Sequence, residues 1–421
     1  MPDPGQTMSK PQASLSAEAA RQRASPSAAA PALRIALLTG CDDRPYALGL
    51  SAALLAQGIG VDYIGSDQVH ADEIAGHPLL RFLNLRGDQS SQAGLRTKAL
   101  RLARYYARLL HYAFVSDAQV FHILWNNKFE WFDRTLLMMY YRALGKRVVF
   151  TAHNVNKAKR DGYDNALNRL TLRIQYHLAH HVFVHTEKMQ EELVRDFGVS
   201  RSRASLVPFG INNAMPITGL TPPQARQRLD IGEHEKVLLF FGQIAPYKGL
   251  HHLVDALPAL LAQQPNCRLL IAGKVKSGAE AYWATIRSKL AAADLAAHVT
   301  AHVQFIADSD VEAFFQAADV LVMPYVDIFQ SGVLFLSYNF GLPVIATDVG
   351  SLREDIVEGQ TGYVCEPQNP AALVAAIRRF LASQMHRQPQ ATRRGIAEWA
   401  HARHSWTGVA GLSESVYRAV L

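Results

Sequence analysis

The sequence predicts an α/β protein built from two doubly wound parallel sheets. From Arg34 onward, the short apolar runs IALL, VDYIG, VFHIL, VVFTA, VFVH and SLVPF alternate with longer segments of helical period. A second series of strands and helices begins at Lys236. Such alternation is typical of parallel sheets covered by helices. The 421 residues, of which 49% are hydrophobic, provide for two or three domains of about 150 residues each.

Composition shifts along the chain predict the domain boundaries. Residues 1–31 are rich in Ala, Ser and Pro without a periodic apolar face, and we expect a disordered tail there. The first domain is predicted over 32–213 and a Pro-rich linker over 214–235. The second domain is predicted over 236–398, and a helical segment over 399–421 closes the chain.

Several classes of protein are disfavoured by composition. No apolar run approaches the ~18–20 residues that span a bilayer, and the N-terminus lacks a signal-peptide pattern, so we expect a cytoplasmic protein. Cys41, Cys267 and Cys365 are widely separated, which predicts neither a disulfide framework nor a zinc site. The net charge is +7, but no nucleic-acid module with interleaved aromatic residues occurs. We therefore expect no nucleic-acid partner.

A strand, loop and helix near the C-terminal third predict an anion site. Val320–Met323 is a short apolar run, Asp327–Ser331 is a polar loop, and Gly332–Phe340 has the composition of a buried helix. The free N–H groups at such a helix start bind phosphate well. The alternative is an ordinary βαβ crossover in which Ser331 merely caps the helix.

A second segment supplies a positive charge for the same site. Val237–Phe241 is an apolar strand, Gly242 permits a turn or a close backbone approach, and a helix opens at Gly249. Lys248 lies between them, where its ammonium group can neutralise a phosphate as a point charge.

Together with TAHNV, VPFGIN, FIADSDVEAFFQAADVLVMPY and SWTGVAGLSESVY, these segments resemble the GT-B-fold retaining glycosyltransferases of family 4. The resemblance covers nearly everything after the tail. It implies two facing Rossmann-like domains, the first for the acceptor and the second for a nucleotide-sugar donor, with the helix Trp406–Val420 crossing back to the first domain. It also implies transfer of a sugar from a nucleoside-diphosphate donor to a glycan or lipid-linked acceptor.

The resemblance also implies the site residues. Lys248 and His153 would serve catalysis, His153 beside the donor sugar. The remaining donor-binding residues would be Gly242, Gln243, Ile306, Ser331, Gly332, Val333 and Glu354. No residue clearly fills the place of a carboxylate nucleophile, so the front-face mechanism described for the family is expected rather than double displacement.

Three positions depart from the family pattern. Gln243 stands where an arginine is usual, which removes a fixed positive charge from the donor site. Ile328 and Leu336 stand where two glutamates are usual, the second of which binds the nucleotide ribose. Neither side chain can accept a hydrogen bond. We therefore expect the ribose to be held by backbone groups, by Lys248 through the diphosphate or by packing against Ile306.

No metal or other cofactor is expected. Asp308-Ser309-Asp310 has the D-x-D form of a metal motif, but it immediately precedes an apparent helix, VEAFFQAAD, and is better explained as a helix cap. No P-loop, G-x-G-x-x-G or G-x-S-x-G occurs, which argues against nucleoside-triphosphatase, oxidoreductase and hydrolase functions.

Two basic segments predict anionic partners. Leu95–Phe114 has helical period with Arg101, Arg104 and Arg108 on one stripe, which fits either a solvated outer face or peripheral docking on an anionic membrane surface. A cluster after TAHNVN would suit an anionic acceptor; its members are Lys157, Lys159 and Arg160.

The sequence thus predicts a metal-independent, retaining glycosyltransferase of polysaccharide or glycolipid synthesis. A nucleotide-sugar epimerase is one alternative, although HNVNKAKRD does not match the histidine–arginine cluster of those enzymes. A non-catalytic nucleotide-sugar or glycan-binding protein is another, suggested by Gln243, Ile328 and Leu336.

Overall fold

The computed structural model of the protein describes residues 33–40, 44–69, 72–89, 94–160, 162–211, 217–292 and 295–421, without the side chains of Leu95, Arg160 and Ala292. The predicted tail at 1–31 and Cys41 lie outside the described residues. Cys267 and Cys365 are buried free thiols. No described helix is long and apolar enough to cross a bilayer.

The first domain contains a parallel sheet of seven strands in the order β3-β2-β1-β4-β5-β6-β7. These strands are β1 (Arg34–Leu38), β2 (Gly60–Gly65), β3 (Leu80–Asn84), β4 (Val120–Ile123), β5 (Arg147–Ala152), β6 (His181–Val184) and β7 (Ala204–Leu206). The helices around it are α1 (Arg44–Ala56), α2 (Leu95–Val115), α3 (Glu130–Phe132 and Met138–Ala143, joined by a π-helical turn at Asp133–Leu137), α4 (Lys157–Arg160), α5 (Ala166–Leu178) and α6 (Glu187–Phe197).

The second domain contains a parallel sheet of six strands in the order β10-β9-β8-β11-β12-β13. These strands are β8 (Lys236–Phe241), β9 (Cys267–Ala272), β10 (Val299–His302), β11 (Val320–Met323), β12 (Val344–Thr347) and β13 (Gly362–Cys365). Its helices are α7 (Pro222–Arg228), α8 (Leu250–Leu261), α9 (Glu280–Ala292), α10 (Asp308–Ala317), α11 (Gly332–Asn339), α12 (Pro370–Ala382), α13 (Gln384–Arg387) and α14 (Pro389–Arg403).

The strand order determines where ligands can bind. In each sheet the first strand lies inside the sheet, and the direction of winding changes between β1 and β4 and between β8 and β11. Ligands of open α/β sheets bind at such switch points, beyond the carboxyl ends of the strands. We therefore expect a ligand site at the segments that follow β4, β5, β8 and β11.

The last helix, α15 (Trp406–Val420), returns to the first domain and packs on α1. Trp406 is buried, and a Cβ added at Gly49 or Gly210 would lie 2.1 or 2.4 Å from its ring. Its Nε1 donates a 2.8 Å hydrogen bond to the Ile211 carbonyl, and the Ile211 amide donates a 3.0 Å bond to the His404 carbonyl. The predicted two-domain fold with a crossover helix is confirmed.

Two local predictions were wrong. The segment 214–235, predicted as a linker, contains α7, because the prolines occupy its first turn and the Gln224 side chain accepts a 3.0 Å hydrogen bond from the Thr221 amide. The D-x-D segment does not precede its helix: α10 begins at Asp308, after Ala307. Asp308 and Asp310 therefore lie in the first turn, where they favour the helix dipole.

Candidate active site

A cavity of about 320 Å³ lies between the two domains. Pro45, Tyr46 and Trp406 line it on the side of the first domain. The second domain contributes Lys248 and the start of α11. Segments that follow β8 and β11 thus meet α1 and α15 across one cleft, as the strand order requires.

Lys248 is held at this cavity by the end of β8. A 3₁₀ turn over Pro246–Lys248 follows the strand, and Gly249 adopts φ +68° with its Cα so close to Pro324 that a Cβ would lie 1.8 Å from the Pro324 carbonyl oxygen. This backbone path directs the buried Lys248 toward the cleft, where its Nζ donates a 2.6 Å hydrogen bond to the Tyr325 hydroxyl. Burial raises the pKa of Tyr325, which therefore remains a neutral partner.

The start of α11 faces the same ammonium group. Ser331 lies 3.4 Å from the Tyr325 hydroxyl, so Lys248, Tyr325 and Ser331 form one connected set. The amides of Gly332 and Val333 open the helix and have no intrahelical acceptor. An ideal Cβ at Gly242 would lie 3.6 Å from Val333 and 3.9 Å from Lys248 Nζ, which shows how closely these segments converge.

His153 follows β5 and belongs to a chain of hydrogen bonds. The Val207 carbonyl accepts a 3.0 Å bond from His185 Nδ1, and His185 Nε2 lies 2.9 Å from His153 Nδ1. Burial lowers the pKa of His185 to about 4, so His185 is neutral at pH 7 and its Nε2 accepts. His153 Nδ1 must then donate. Burial also holds the pKa of His153 well below its usual range, so its buried Nε2, which has no protein partner, is a hydrogen-bond acceptor.

Aromatic rings hold His153 in place beside the cavity. The Trp125 ring stacks on it with centroids 4.1 Å apart, and the Tyr46 ring meets it edge-on at 4.6 Å. His153 is not among the residues that line the cavity, whereas Tyr46 both lines it and contacts the histidine. The roles of Trp125, His185 and Tyr46 were not predicted from the sequence.

The hydrogen-bonded pair of His153 and His185 leads to a prediction about how protonation and stability depend on pH. We expect His185 to stay neutral until about pH 4, and both imidazoles to be Nδ1–H tautomers at pH 7. Unfolding restores the ordinary pKa of 6.5, so the unfolded chain binds protons that the folded chain excludes, and stability falls as the pH drops from about 6.5 toward 4. Long-range ¹H–¹⁵N NMR would report both features. Charging of both rings near pH 6.5 would contradict the assignment.

Ile328 and Leu336 lie in the cavity lining, as the predicted strand, loop and helix require. Beside them is Gln330, which the sequence analysis did not single out. Its Nε2 donates a 3.0 Å hydrogen bond to Asp355, whose pKa is raised to about 6 by burial. Gln330 Oε1 is buried and has no protein partner, so a ligand hydroxyl would reach this acceptor only after the groups that cover it move.

The other predicted donor residues lie outside this lining. Gln243 is exposed after β8, and Ile306 is half-buried against the core of the second domain. Glu354 accepts a hydrogen bond from the Glu187 amide at the start of α6, next to a 2.8 Å hydrogen bond from Ser351 to Thr186. It thus joins the two domains, and its role in donor binding stays a prediction.

The predicted basic segments have separate surroundings. Lys157 is exposed, Lys159 lies 3.6 Å from Glu192 and 3.9 Å from Asp196, and the side chain of Arg160 lies outside the described residues. On α2, Arg101 pairs with Asp88 at 3.1 Å, Arg108 donates to the Leu85 carbonyl at 3.4 Å, and Arg104 is exposed. Membrane docking through α2 stays a prediction.

Comparisons with known proteins identify the family and the fold of the chain. The family model described as Glycosyltransferase Family 4 matches residues 45–214, and the model described as Glycosyl transferases group 1 matches residues 223–396. The chain is a family 4 glycosyltransferase of GT-B fold. It is 25% identical to the D-inositol 3-phosphate glycosyltransferase of Corynebacterium efficiens over 88% of this chain and 89% of that protein.

Solved structures show the same fold. Sucrose-phosphate synthase from Thermosynechococcus elongatus superposes with a TM-score of 0.72 at 22% identity, over 92% of this glycosyltransferase and 99% of that chain. Anabaena HepE, solved in complex with UDP and glucose, superposes with a TM-score of 0.70 at 15% identity, over 92% of this chain and 100% of that one.

Proposed function

We propose that this glycosyltransferase moves a sugar from a uridine-diphosphate donor to a glycan or lipid-linked acceptor with retention of configuration. The observation that carries the proposal is the buried Lys248 facing the start of α11 in one cavity between the domains. An ammonium group and free helix amides are preorganised donors for a departing diphosphate. The complex of HepE with UDP and glucose supports the choice of nucleotide.

The reaction requires charge to be stabilised on the leaving group. As the bond between the sugar and the diphosphate breaks, negative charge grows on the phosphate oxygen that Lys248 and the α11 amides would contact. His153 Nε2 would accept a hydrogen bond from a hydroxyl of the donor sugar once the Tyr46 side chain moves aside. No Asp or Glu is among the described residues that line the cavity. This favours the front-face route, in which the leaving phosphate accepts the acceptor's proton, over a carboxylate nucleophile.

Donor binding and stereochemistry test the proposal. Calorimetry should show that UDP binds more tightly than ADP, GDP or TDP, and a panel of UDP-sugars should reveal slow donor hydrolysis. NMR of the first product formed should show the anomeric configuration of the donor. Absence of binding to every nucleoside diphosphate, or an inverted product, would contradict it.

The unpartnered Oε1 of Gln330 leads to a prediction about how the ribose is recognised. We expect UDP to bind only a few-fold more tightly than its dideoxy form, because a neutral hydrogen bond to Gln330 Oε1 contributes about 0.5–1.5 kcal/mol. In Gln330→Leu this preference should disappear, whereas Gln304→Leu, at an exposed glutamine after β10 on the same edge of the sheet, should retain it. A preference of tenfold or more that survives in Gln330→Leu would show that a carboxylate binds the ribose.

Metal independence is a further prediction. Among the described residues no group of three His, Cys, Asp or Glu side chains is placed to hold a metal ion, and Asp310 forms a 2.6 Å ion pair with Arg228. We expect turnover to be unchanged in excess EDTA. Turnover that is lost on chelation and restored by Mg²⁺ or Mn²⁺ would show that a metal bridges the diphosphate instead.

A further inference from the structure

A second cavity, of about 510 Å³, lies on the first domain and is strongly basic. Of the described residues that line it, four are cationic and one, Asp88, is a carboxylate. The cations come from three places in the fold: Arg86 follows β3, Lys98 and Arg101 lie on α2, and Lys128 follows β4. We call it the basic cavity. Its formal excess of three positive charges contrasts with the interdomain cavity, whose described lining contains one charged side chain, Lys248.

A series of contacts connects the basic cavity to the histidine site. Arg86 Nη1 donates a 3.0 Å hydrogen bond to the Gly40 carbonyl at the end of β1. Gly40 packs so closely on Trp125 that an added Cβ would lie 2.7 Å from the Trp125 Cβ. Trp125 in turn stacks on His153. The basic cavity therefore lies at the same carboxyl edge of the sheet as the residue proposed to contact the donor sugar.

Residues 127–129 form one wall of the basic cavity and are held in place by hydrogen bonds and a ring contact. The Tyr105 hydroxyl donates a 2.5 Å hydrogen bond to Asn127, and the Phe129 amide donates a 3.3 Å bond to the Tyr106 hydroxyl. Tyr106 also donates to the buried Asp133 at 2.9 Å. The Phe129 ring stacks on Tyr106 with centroids 5.9 Å apart and is half-exposed at 49%. An apolar ring face is thus presented next to Lys128.

We propose that the basic cavity binds an anionic group of the acceptor, a phosphate or a carboxylate, while the acceptor's sugar or polyol ring covers Phe129. Guanidinium groups match the geometry of both anions, and a cavity with a net excess of positive charge attracts an anionic ligand over a distance. The inference rests on the proposed function, because it takes the first domain to be the acceptor side. It replaces Lys159, which faces Glu192 and Asp196, with Arg86 and Lys128 as the main acceptor cations.

The test measures anion binding directly and separates it from donor binding. Glucose 6-phosphate is the probe and glucose is the neutral control, each titrated by calorimetry into protein saturated with UDP so that the donor site is filled. Arg86→Gln/Lys128→Gln is the test variant. Arg201→Gln, at an exposed arginine of the first domain that has no proposed binding role, is the matched control. Lys128→Gln alone is included because Lys128 is exposed, so its replacement should leave the fold intact.

We expect glucose 6-phosphate to bind at least tenfold more tightly than glucose, the double variant to lose at least tenfold in affinity, and Arg201→Gln to match the wild type. A parallel assay compares vesicles containing phosphatidylglycerol with phosphatidylcholine vesicles. Capture on the anionic vesicles alone, lost in Lys128→Gln, supports a lipid-borne anion in the same cavity. The proposal is overturned if glucose 6-phosphate binds with equal affinity to the wild type, to Arg86→Gln/Lys128→Gln and to Lys128→Gln. It is also overturned if the wild type binds neither glucose 6-phosphate nor the anionic vesicles. UDP affinity, measured first in every variant, reports separately on the proposed donor site.

Discussion

Replacing Lys248 with alanine should lower turnover by about two orders of magnitude or more, equivalent to at least ~2.7 kcal/mol of transition-state stabilisation. Lys248 is the one charged side chain among the described residues that line the interdomain cavity, and Gln243 leaves the usual second charge absent. The remaining helix amides should still bind UDP, but more weakly. Steady-state kinetics and UDP calorimetry on the purified variant measure both effects.

Two further variants make this prediction specific. Lys236→Ala removes a lysine at the opposite edge of the same sheet, where its Nζ bonds to Gln264, and should retain nearly full turnover. Tyr325→Phe keeps the ammonium group but removes its 2.6 Å partner, and an intermediate loss is expected. Near-normal rates for Lys248→Ala would remove this lysine from the reaction.

Replacing Trp406 with alanine should lower the free energy of unfolding by about 3–5 kcal/mol, the range found when a large buried aromatic side chain is truncated. The ring fills the space between Gly49 and Gly210, and its removal also leaves the Ile211 carbonyl without the indole partner. Urea unfolding followed by circular dichroism measures the loss.

The same substitution at an exposed tryptophan is the control. Trp131 is 57% exposed, so Trp131→Ala should change the unfolding free energy by no more than about 0.5 kcal/mol. Trp406→Phe keeps most of the packing but not the N–H donor, and should cost about 1 kcal/mol. Equal losses for Trp406→Ala and Trp131→Ala would show that the crossing of α15 contributes little to stability.

The sequence was most informative where function depends on consecutive residues. The order of strand, glycine, Lys248 and helix is local, as is the order of strand, Ser331 and helix, and both segments line or adjoin one cavity in the structure. Ile328 and Leu336, whose positions were assigned through the resemblance to the family, also line this cavity.

What the sequence analysis missed depends on contacts between distant segments. The His153–His185 bond joins residues that follow β5 and β6, and the Gln330–Asp355 bond spans 25 residues. Arg86 and Lys128 are 42 positions apart and have no periodic relation, so only the sheet brings them to one cavity. Helix α7 was missed for a different reason, since prolines in a first turn resemble a linker in composition.

The chain crosses between the domains twice, and the two connections are hydrogen-bonded to one another. The Ile211 amide donates to the His404 carbonyl, and Trp406 Nε1 donates to the Ile211 carbonyl. A single covalent connection would allow the two domains to bend and twist relative to one another in any direction. Two adjoining connections restrict twisting, so we expect any relative rotation of the domains to occur about one axis through these residues. Such a rotation would break the hydrogen bonds from Ser351 to Thr186 and from Lys188 to the Gly350 carbonyl, which are among the polar contacts between the domains. If the domains separate during turnover, we therefore expect Lys248 and His153 to return to the same relative orientation when they close.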